Sequence, residues 1–378
     1  MDSPFIYGRL AIENNFTDRN KEVNLLVNNF STGINTILIS PRRWGKSSLV
    51  AYSAQKASAL NPNLRFCFLD LFNVRSEEQF YQELAEKVIH AASGRLETMV
   101  DLVKKFMGNF VPKISINPTN EQSLSLAFDW KEVKKSPDEI LNLAEKIARL
   151  MKLKFVICID EFQSMSNFEN PLAFQQKLRS HWQLHQHSSY CLYGSKRHML
   201  MDVFTNVSMP FYKFGDMLFL QKIVESEWVP FIIRRFSDTG KTILKDEAAQ
   251  IARLAECHPY YVQQLAQQSW LRTEKRCNDQ IVKQAFGDII DQLSLLFQSK
   301  TDELAETHIN LMEAILKGEK QLSAQNVLLA YRLGTSANVL KARKSLINKE
   351  IIDIEKKQIT FLDPMYKHWL KREYFKIQ

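Results

Sequence analysis

Ser40-Pro41-Arg42-Arg43-Trp44-Gly45-Lys46-Ser47 stands between Ile37-Leu38-Ile39, a short apolar run that reads as a buried strand, and Ser48-Leu49-Val50-Ala51, which opens a helical pattern. The spacing is that of a phosphate-binding loop, G-x-x-x-x-G-K-[ST], with Ser40 in the first glycine's place. A loop entering a helix N-terminus turns free backbone N–H groups and the positive end of the helix dipole toward an anion. Pro41, Arg42, Arg43, Trp44, Gly45, Lys46, Ser47 and Ser48 are therefore candidate phosphate-cradle residues. Gly45 would let the backbone curl close to a phosphate. Lys46 would reach the β and γ phosphates, and the Ser47 hydroxyl would hold Mg²⁺. The competing reading is a chance G-K-S at a strand-to-helix turn, and context decides between the two.

A second stretch supplies that context. In Lys154–Gln163, KFVICIDEFQ, residues 155–159 are uninterruptedly apolar, as in a parallel strand covered on both faces. The run ends in Asp160-Glu161, and carboxylates at a strand's C-terminal end lie where open α/β sheets bind ligands. Beside a phosphate loop this is the Walker B pattern. Asp160 would hold Mg²⁺, usually through water, and Glu161 would orient or activate the attacking water. Alone, the pair also fits a solvated turn after a core strand; with Lys46 it points to nucleotide binding. Residues 189–193 read as another strand ending in Gly194-Ser195, where Ser195 is either a γ-phosphate sensor or part of a simple turn. His181 and His185 have the spacing of an H-E-x-x-H zinc motif but lack its glutamate, His187 would face elsewhere, and all three read as solvated histidines. Arg179 is either a nucleotide sensor or a surface charge, the second being favoured.

The elements that must position these residues are legible in outline. The 378 residues allow two or three domains, and 45% hydrophobic content supports real cores. Five cysteines form no C-x-x-C pair, and Cys67, Cys158 and Cys191 sit in apolar runs, which favours reduced thiols and a cytoplasmic location. No run approaches the roughly 20 apolar residues of a membrane span, and MDSPFIYGRL has no signal-peptide pattern. Fifty basic against 42 acidic side chains give a net charge of +8, which permits an acidic partner without requiring one. A helix is expected after Asp18 as N-cap, with Val23, Leu25 and Leu26 apolar. Residues 64–74 read as a second buried strand. Ser76-Glu77-Glu78-Gln79 reads as a capping box opening a helix to about residue 90. Residues 91–135 read as an insertion in which 114–116 and 124–126 are short strands or a hairpin. Ser136-Pro137-Asp138-Glu139 starts a helix with serine as N-cap. Residues 174–187 read as a helix with Leu178, Trp182 and Leu184 inward.

The combination FTDR, PRRWGKSS, IDEFQ, YGSKR, PFYKFGD and CHPYYVQQLA resembles the archaeal-type ATPase family, of the STAND branch of AAA+ P-loop ATPases, over nearly the whole chain. RRWGKSS and DEFQ are its strongest pieces. Ser40 departs from the glycine form of the loop, and Lys213 stands near where family-like chains often carry Y-G-R. The resemblance implies an α/β P-loop NTPase core with a parallel sheet and flanking helices, a helical lid and a C-terminal winged helix. The expected domains are 1–222, 223–300 and 301–378. It also implies ATP and Mg²⁺ as cofactors. Arg19, in F-x-[DGN]-R-x-x-E, resembles the adenine-side linker of certain P-loop ATPases. Pro259 matches a proline that in related ATPases packs on base or phosphates, though helix initiation explains it equally. ATP·Mg²⁺ would sit between core and lid. With so few residues after Trp369, the nuclease-like domain that some members append is not expected.

Residues 302–374 also read as a winged helix on their own pattern. Its third helix, 337–348, would turn Val339, Leu340, Leu346 and Ile347 to the core and Lys341, Lys344 and Asn348 to one outer face. Lys356 and Lys357 would tip the wing. Such a face can lie in a DNA major groove; the equally weighted alternative is a winged helix that contacts a protein or stabilises the lid. The leading expectation is an ATPase that couples ATP·Mg²⁺ binding and hydrolysis to movement between domains. The alternatives are a slow or non-hydrolysing nucleotide-gated switch or DNA-binding adaptor, and a DNA-repair or mobile-element motor. A nucleotide-dependent oligomer stays open.

Overall fold

The structure is a computed structural model that describes residues 3–11, 15–93, 98–99, 101–102, 105, 113–116, 124–127, 137–355 and 358–377. The chain divides into two compact units: Arg19–Gln221, and residues 1–18 together with 222–378.

Among the described residues the first unit has seven strands: β1 (Thr36–Ile39), β2 (Leu64–Asp70), β3 (Lys113–Ile116), β4 (Leu124–Ala127), β5 (Lys154–Asp160), β6 (Ser188–Gly194) and β7 (Asp216–Phe219). Five form one sheet in the order β2-β5-β6-β1-β7, and every pairing in it is parallel. β3 and β4 pair antiparallel, so the expected short strands are a hairpin. The central strands β1 and β6 are buried at every residue, as β-branched and apolar runs covered on both faces must be. β2 differs from expectation. It is an edge strand, and its burial alternates: Cys67 and Leu69 are buried while Phe68 is exposed. Phe66 packs edge-on against Phe30, 5.3 Å between centroids, in α1 (Asn20–Thr32).

The helices begin where local chemistry dictates, with exceptions. Asp18 does not cap α1. Both Asp18 and Arg19 are left-handed, and Arg19 is the N-cap with no side-chain cap bond. Ser76 does cap the next helix but one (Glu77–Ala92), accepting from the Gln79 amide at 3.3 Å. Gln79 Oε1 reaches one residue further back than a capping box requires, to the Arg75 N–H at 2.7 Å. Ser136 lies outside the described residues; Pro137 is the N-cap there. The helix expected over 174–187 runs Pro171–Trp182, and Leu184 lies beyond it, 72% exposed. Trp182 stacks on Tyr190 at 4.0 Å, sealing that helix to β6.

In the second unit, helices Glu225–Ser237, Lys245–Leu254, Pro259–Arg272 and Asp279–Asp302 share one core with the C-terminal elements. Phe5, from the N-terminal segment, is buried in it and meets Phe231 and Phe236 edge-on. The helix Asp279–Asp302 is continuous across position 300, so lid-like and winged-helix regions share an element. Helices Glu306–Leu316, Gln325–Ala330 and Ser336–Asn348 precede an antiparallel pair, β8 (Ile352–Glu355) and β9 (Gln358–Phe361). This is winged-helix order. Thr335 caps the third helix, accepting from the Asn338 amide. Leu340 is not a core residue as expected: it is 54% exposed, while Val339, Ala342 and Leu346 are buried. Lys356 and Lys357 lie outside the described residues.

Candidate functional site

β1 ends at Ile39 and the chain turns through residues 40–45 into the helix Lys46–Leu60. Gly45 is that helix's N-cap at φ 87°, a left-handed conformation that favours glycine. Arg43 is also left-handed, φ 62°, whereas Ser40 is not. The first motif position therefore makes no conformational demand for glycine, which is why Ser40 is accommodated. Ser40, Pro41, Trp44, Lys46 and Ser48 are buried, and Arg42 and Arg43 are exposed. Arg19 is buried at 3% exposure, with Nη2 donating to the Trp44 carbonyl at 3.3 Å. It ties α1 to the loop from behind.

β5 lies one strand over from β6 and two from β1, so Asp160 and Glu161 leave the sheet at the same end as the loop. Glu161 is left-handed, φ 51°. A non-glycine residue held there costs about 1–3 kcal/mol. Its side chain meets Lys46, with Nζ donating to Oε1 at 3.1 Å; Asp160 Oδ1 is 3.7 Å from the same Nζ. The Ser47 hydroxyl donates to Asp160 Oδ2 at 2.7 Å, and the Glu161 amide donates to Asp160 Oδ1 at 2.8 Å. Ser195, at the tip of β6, donates to Glu161 Oε2 at 2.9 Å, and Arg42 Nε donates to the Ser195 Oγ at 3.3 Å. The Gln163 amide donates to the same Oε2.

Lys46, Ser47, Asp160, Glu161, Ser195 and Arg42, predicted from three separate stretches, are thus one connected cluster at the sheet's C-terminal edge. The two carboxyls differ. Burial raises Asp160 above the ordinary aspartate range, only partly offset by Lys46 and the Ser47 hydroxyl. Burial also pushes Glu161 upward, but Lys46 and the hydrogen bonds from Gln163, Lys46 and Ser195 outweigh it and leave Glu161 below the ordinary glutamate range. Ser47 and Asp160 offer adjacent hard oxygen ligands, the donor set Mg²⁺ prefers. Gln163 received no role from sequence, although it closes the DEFQ stretch; its being two residues from Glu161 was the available signal.

Other predicted residues stand elsewhere. Pro259 belongs to the second unit, at the first position of the helix Pro259–Arg272. Arg179 lies with its guanidinium 4.9 Å over the Phe214 ring, and burial lowers its pKa. The three histidines are not simply solvated. His181 Nε2 is 3.2 Å from Asp138, His187 Nδ1 is 2.8 Å from Glu145, and His185 Nδ1 is 2.7 Å from the Tyr190 hydroxyl. Among the described residues no group of three or more His, Cys, Asp or Glu could hold a metal ion. All five cysteines are free thiols. No described helix is long and apolar enough to cross a membrane.

A family model described as "Probable winged helix domain" matches residues 295–372. No curated protein matches the sequence significantly. Among solved structures, the Walker-type ATPase PABY2304 of Pyrococcus abyssi is similar with a TM-score of 0.68 at 17% identity, covering 97% of this chain and 99% of that one. The Aeropyrum pernix ORC2 protein in ADPNP–ADP complexes gives 0.56 at 14% identity, covering 98% and 95%. The ORC1 protein of the same organism, in complex with DNA, gives 0.50 at 12%, covering 96% and 94%. The chain has the fold of a P-loop ATPase with a C-terminal winged helix. On that fold, the cluster of Lys46, Ser47, Asp160 and Glu161 occupies the end of the sheet where the strand order reverses around β1, the position at which open α/β sheets take their ligands.

Proposed function

We propose that the chain binds ATP with Mg²⁺ and hydrolyses it, and that nucleotide state governs the disposition of its lid-like and winged-helix regions. The observation that carries the reading is Lys46, which stands against both Asp160 and Glu161 at the mouth of a loop of phosphate-binding spacing. Lys46 would exchange its carboxylate partners for the β and γ phosphates, and the backbone N–H groups of residues 41–48 would hold the remaining phosphate oxygens. Ser47 and Asp160 would hold the metal, which supplies charge neutralisation on the phosphates. Glu161 would align the attacking water and accept its proton. Arg42, which reaches Ser195 beside Glu161, would face the terminal phosphate. Arg19 would support the loop from its buried position, Trp44 would pack under it, and a contact of Pro259 with the nucleotide is part of the same proposal.

The test is Glu161→Gln. The substitution keeps size and removes the proton acceptor, so ATP affinity should hold while single-turnover hydrolysis slows by roughly 10²–10⁴-fold. Equal rates in both proteins would remove Glu161 from the mechanism. A wild-type rate no faster than buffer would favour a non-hydrolysing switch instead.

A second reading, DNA binding, is favoured by one observation: Lys341, Lys344 and Asn348 are all exposed on the third helix of the winged helix. The net charge of +8 suits a polyanionic partner, and the ORC1 protein with the similar fold was solved with DNA.

A further inference from the structure

We infer that Gln163 is a positioning residue that divides the labour of the two Glu161 oxygens, fixing Oε2 so that Oε1 becomes the base. The inference rests on the hydrolytic reading above. Gln163 is 4% exposed and lies in the turn Phe162–Asn167 that Glu161 opens from its left-handed conformation. Its amide nitrogen donates to Glu161 Oε2, which also accepts from Ser195 at 2.9 Å. Among the described residues, the one side chain that donates to Oε1 is Lys46. When Lys46 turns to a phosphate, Oε1 loses its donor, whereas Oε2 keeps both of its own. The carboxylate is then held at one oxygen and open at the other. In the hydrolytic step, the water oxygen bonds to the γ-phosphorus, its proton passes to Oε1, and the bond from the γ-phosphorus to the bridging oxygen breaks as ADP leaves.

The orientation of Gln163 is set by what surrounds it. Among the described residues Gln163 Oε1 has no hydrogen-bond partner, and it lies so close to Gly194 that a Cβ there would clash with it. Turning the carboxamide over would set its carbonyl against the Glu161 carboxylate, two acceptors face to face. Gly194 is thus not needed for a left-handed turn; it is needed because Gln163 passes across it. This gives two independent ways to disturb one contact.

Gln163→Met keeps the side chain's length and removes the donor. Gly194→Ala leaves Gln163 in place and displaces its carboxamide. Each should lower kcat for ATP hydrolysis about 10- to 100-fold, as misplacement of a reacting group does. KM and the affinity for a fluorescent ATP analogue should change less than about threefold, with Tm close to wild type. The double variant should be no slower than the slower single one, because both changes act on the same contact. Wild-type kcat in Gln163→Met, wild-type kcat in Gly194→Ala, or single effects that multiply in the double variant would overturn the assignment. So would a loss of kcat that only tracks a fall in Tm. A wild-type protein that binds ATP without turning it over would sink the hydrolytic reading, and this one with it; wild-type turnover alongside unaffected variants would sink this one alone.

Discussion

Lys46 Nζ lies 3.1 Å from Glu161 and 3.7 Å from Asp160, and that short distance between like-charged neighbours and one buried cation sets the chemistry of the cluster. Glu161 collects the stronger donors and stays below its usual range, while Asp160 is pushed above its own by burial. A different titration bears on stability. His185 is lowered to about 4 from 6.5, mainly by burial, with His181 adding to the effect and Glu145 opposing it. Between those values the unfolded chain binds a proton that the native ring refuses. Stability is therefore full above about pH 6.5 and falls as pH drops toward 4, by about 1–3 kcal/mol for a partly exposed ring. Urea unfolding at pH 7.5 and pH 5 should show this loss in the wild type and a smaller one in His185→Gln; equal losses would contradict it. At this scale the sequence identified the types and spacings of Lys46, Ser47, Asp160 and Glu161, because those belong to contiguous motifs. It could not show the bond from Ser195 or Gln163 to Glu161, nor that the three histidines find Asp138, Glu145 and Tyr190. Such contacts arise from the sheet order, which brings β6 beside β5 and carries residues 138–145 over them.

Among the elements, the third helix of the winged helix offers the clearest separate test. If Lys341 and Lys344 contact phosphates of duplex DNA, affinity should fall steeply with salt, each contact adding about −0.9 to the slope of log K against log salt. Replacing both with Ala should flatten the slope by up to about two units without altering sequence preference. Fluorescence anisotropy on labelled duplex at several salt concentrations, with ATP and with ADP, measures it. No binding at low salt in either state would turn the winged helix toward a protein partner. The helix start marked by Ser76 was legible because a side-chain oxygen three residues before a free amide is a local signal; the cap at Thr335 was not read, and that helix begins at Ser336 where 337 is expected. The start at Arg19 was not legible, since Asp18 offers the same signal and tertiary packing of the arginine under the Trp44 carbonyl overrides it. The exposed edge of β2 was missed for a related reason. An apolar run such as RFCFL does not tell whether one face or both will be covered, and here Phe66 finds Phe30 while Phe68 faces outward. The continuous helix Asp279–Asp302 passed unread because its apolar stripe carries exposed Leu295 and Leu296, which blur the period.

For the whole molecule, the strand order β2-β5-β6-β1-β7 is what turns three separated sequence motifs into one site. The class of fold was legible, since buried parallel strands alternating with helices leave few alternatives. The grouping of residues 1–18 with 222–378 was not, because Phe5 shows its partners Phe231 and Phe236 only in three dimensions. The edge formed by β1, β5 and β6 would bind ATP through Lys46. Equilibrium titration of wild type and Lys46→Ala with a fluorescent ATP analogue, in the presence of Mg²⁺, addresses it most directly. A charged hydrogen bond to phosphate is worth about 1.5–3 kcal/mol, so the folded variant should bind roughly 10- to 100-fold more weakly. Undiminished affinity in a folded Lys46→Ala protein, or no saturable binding by the wild type, would contradict the assignment.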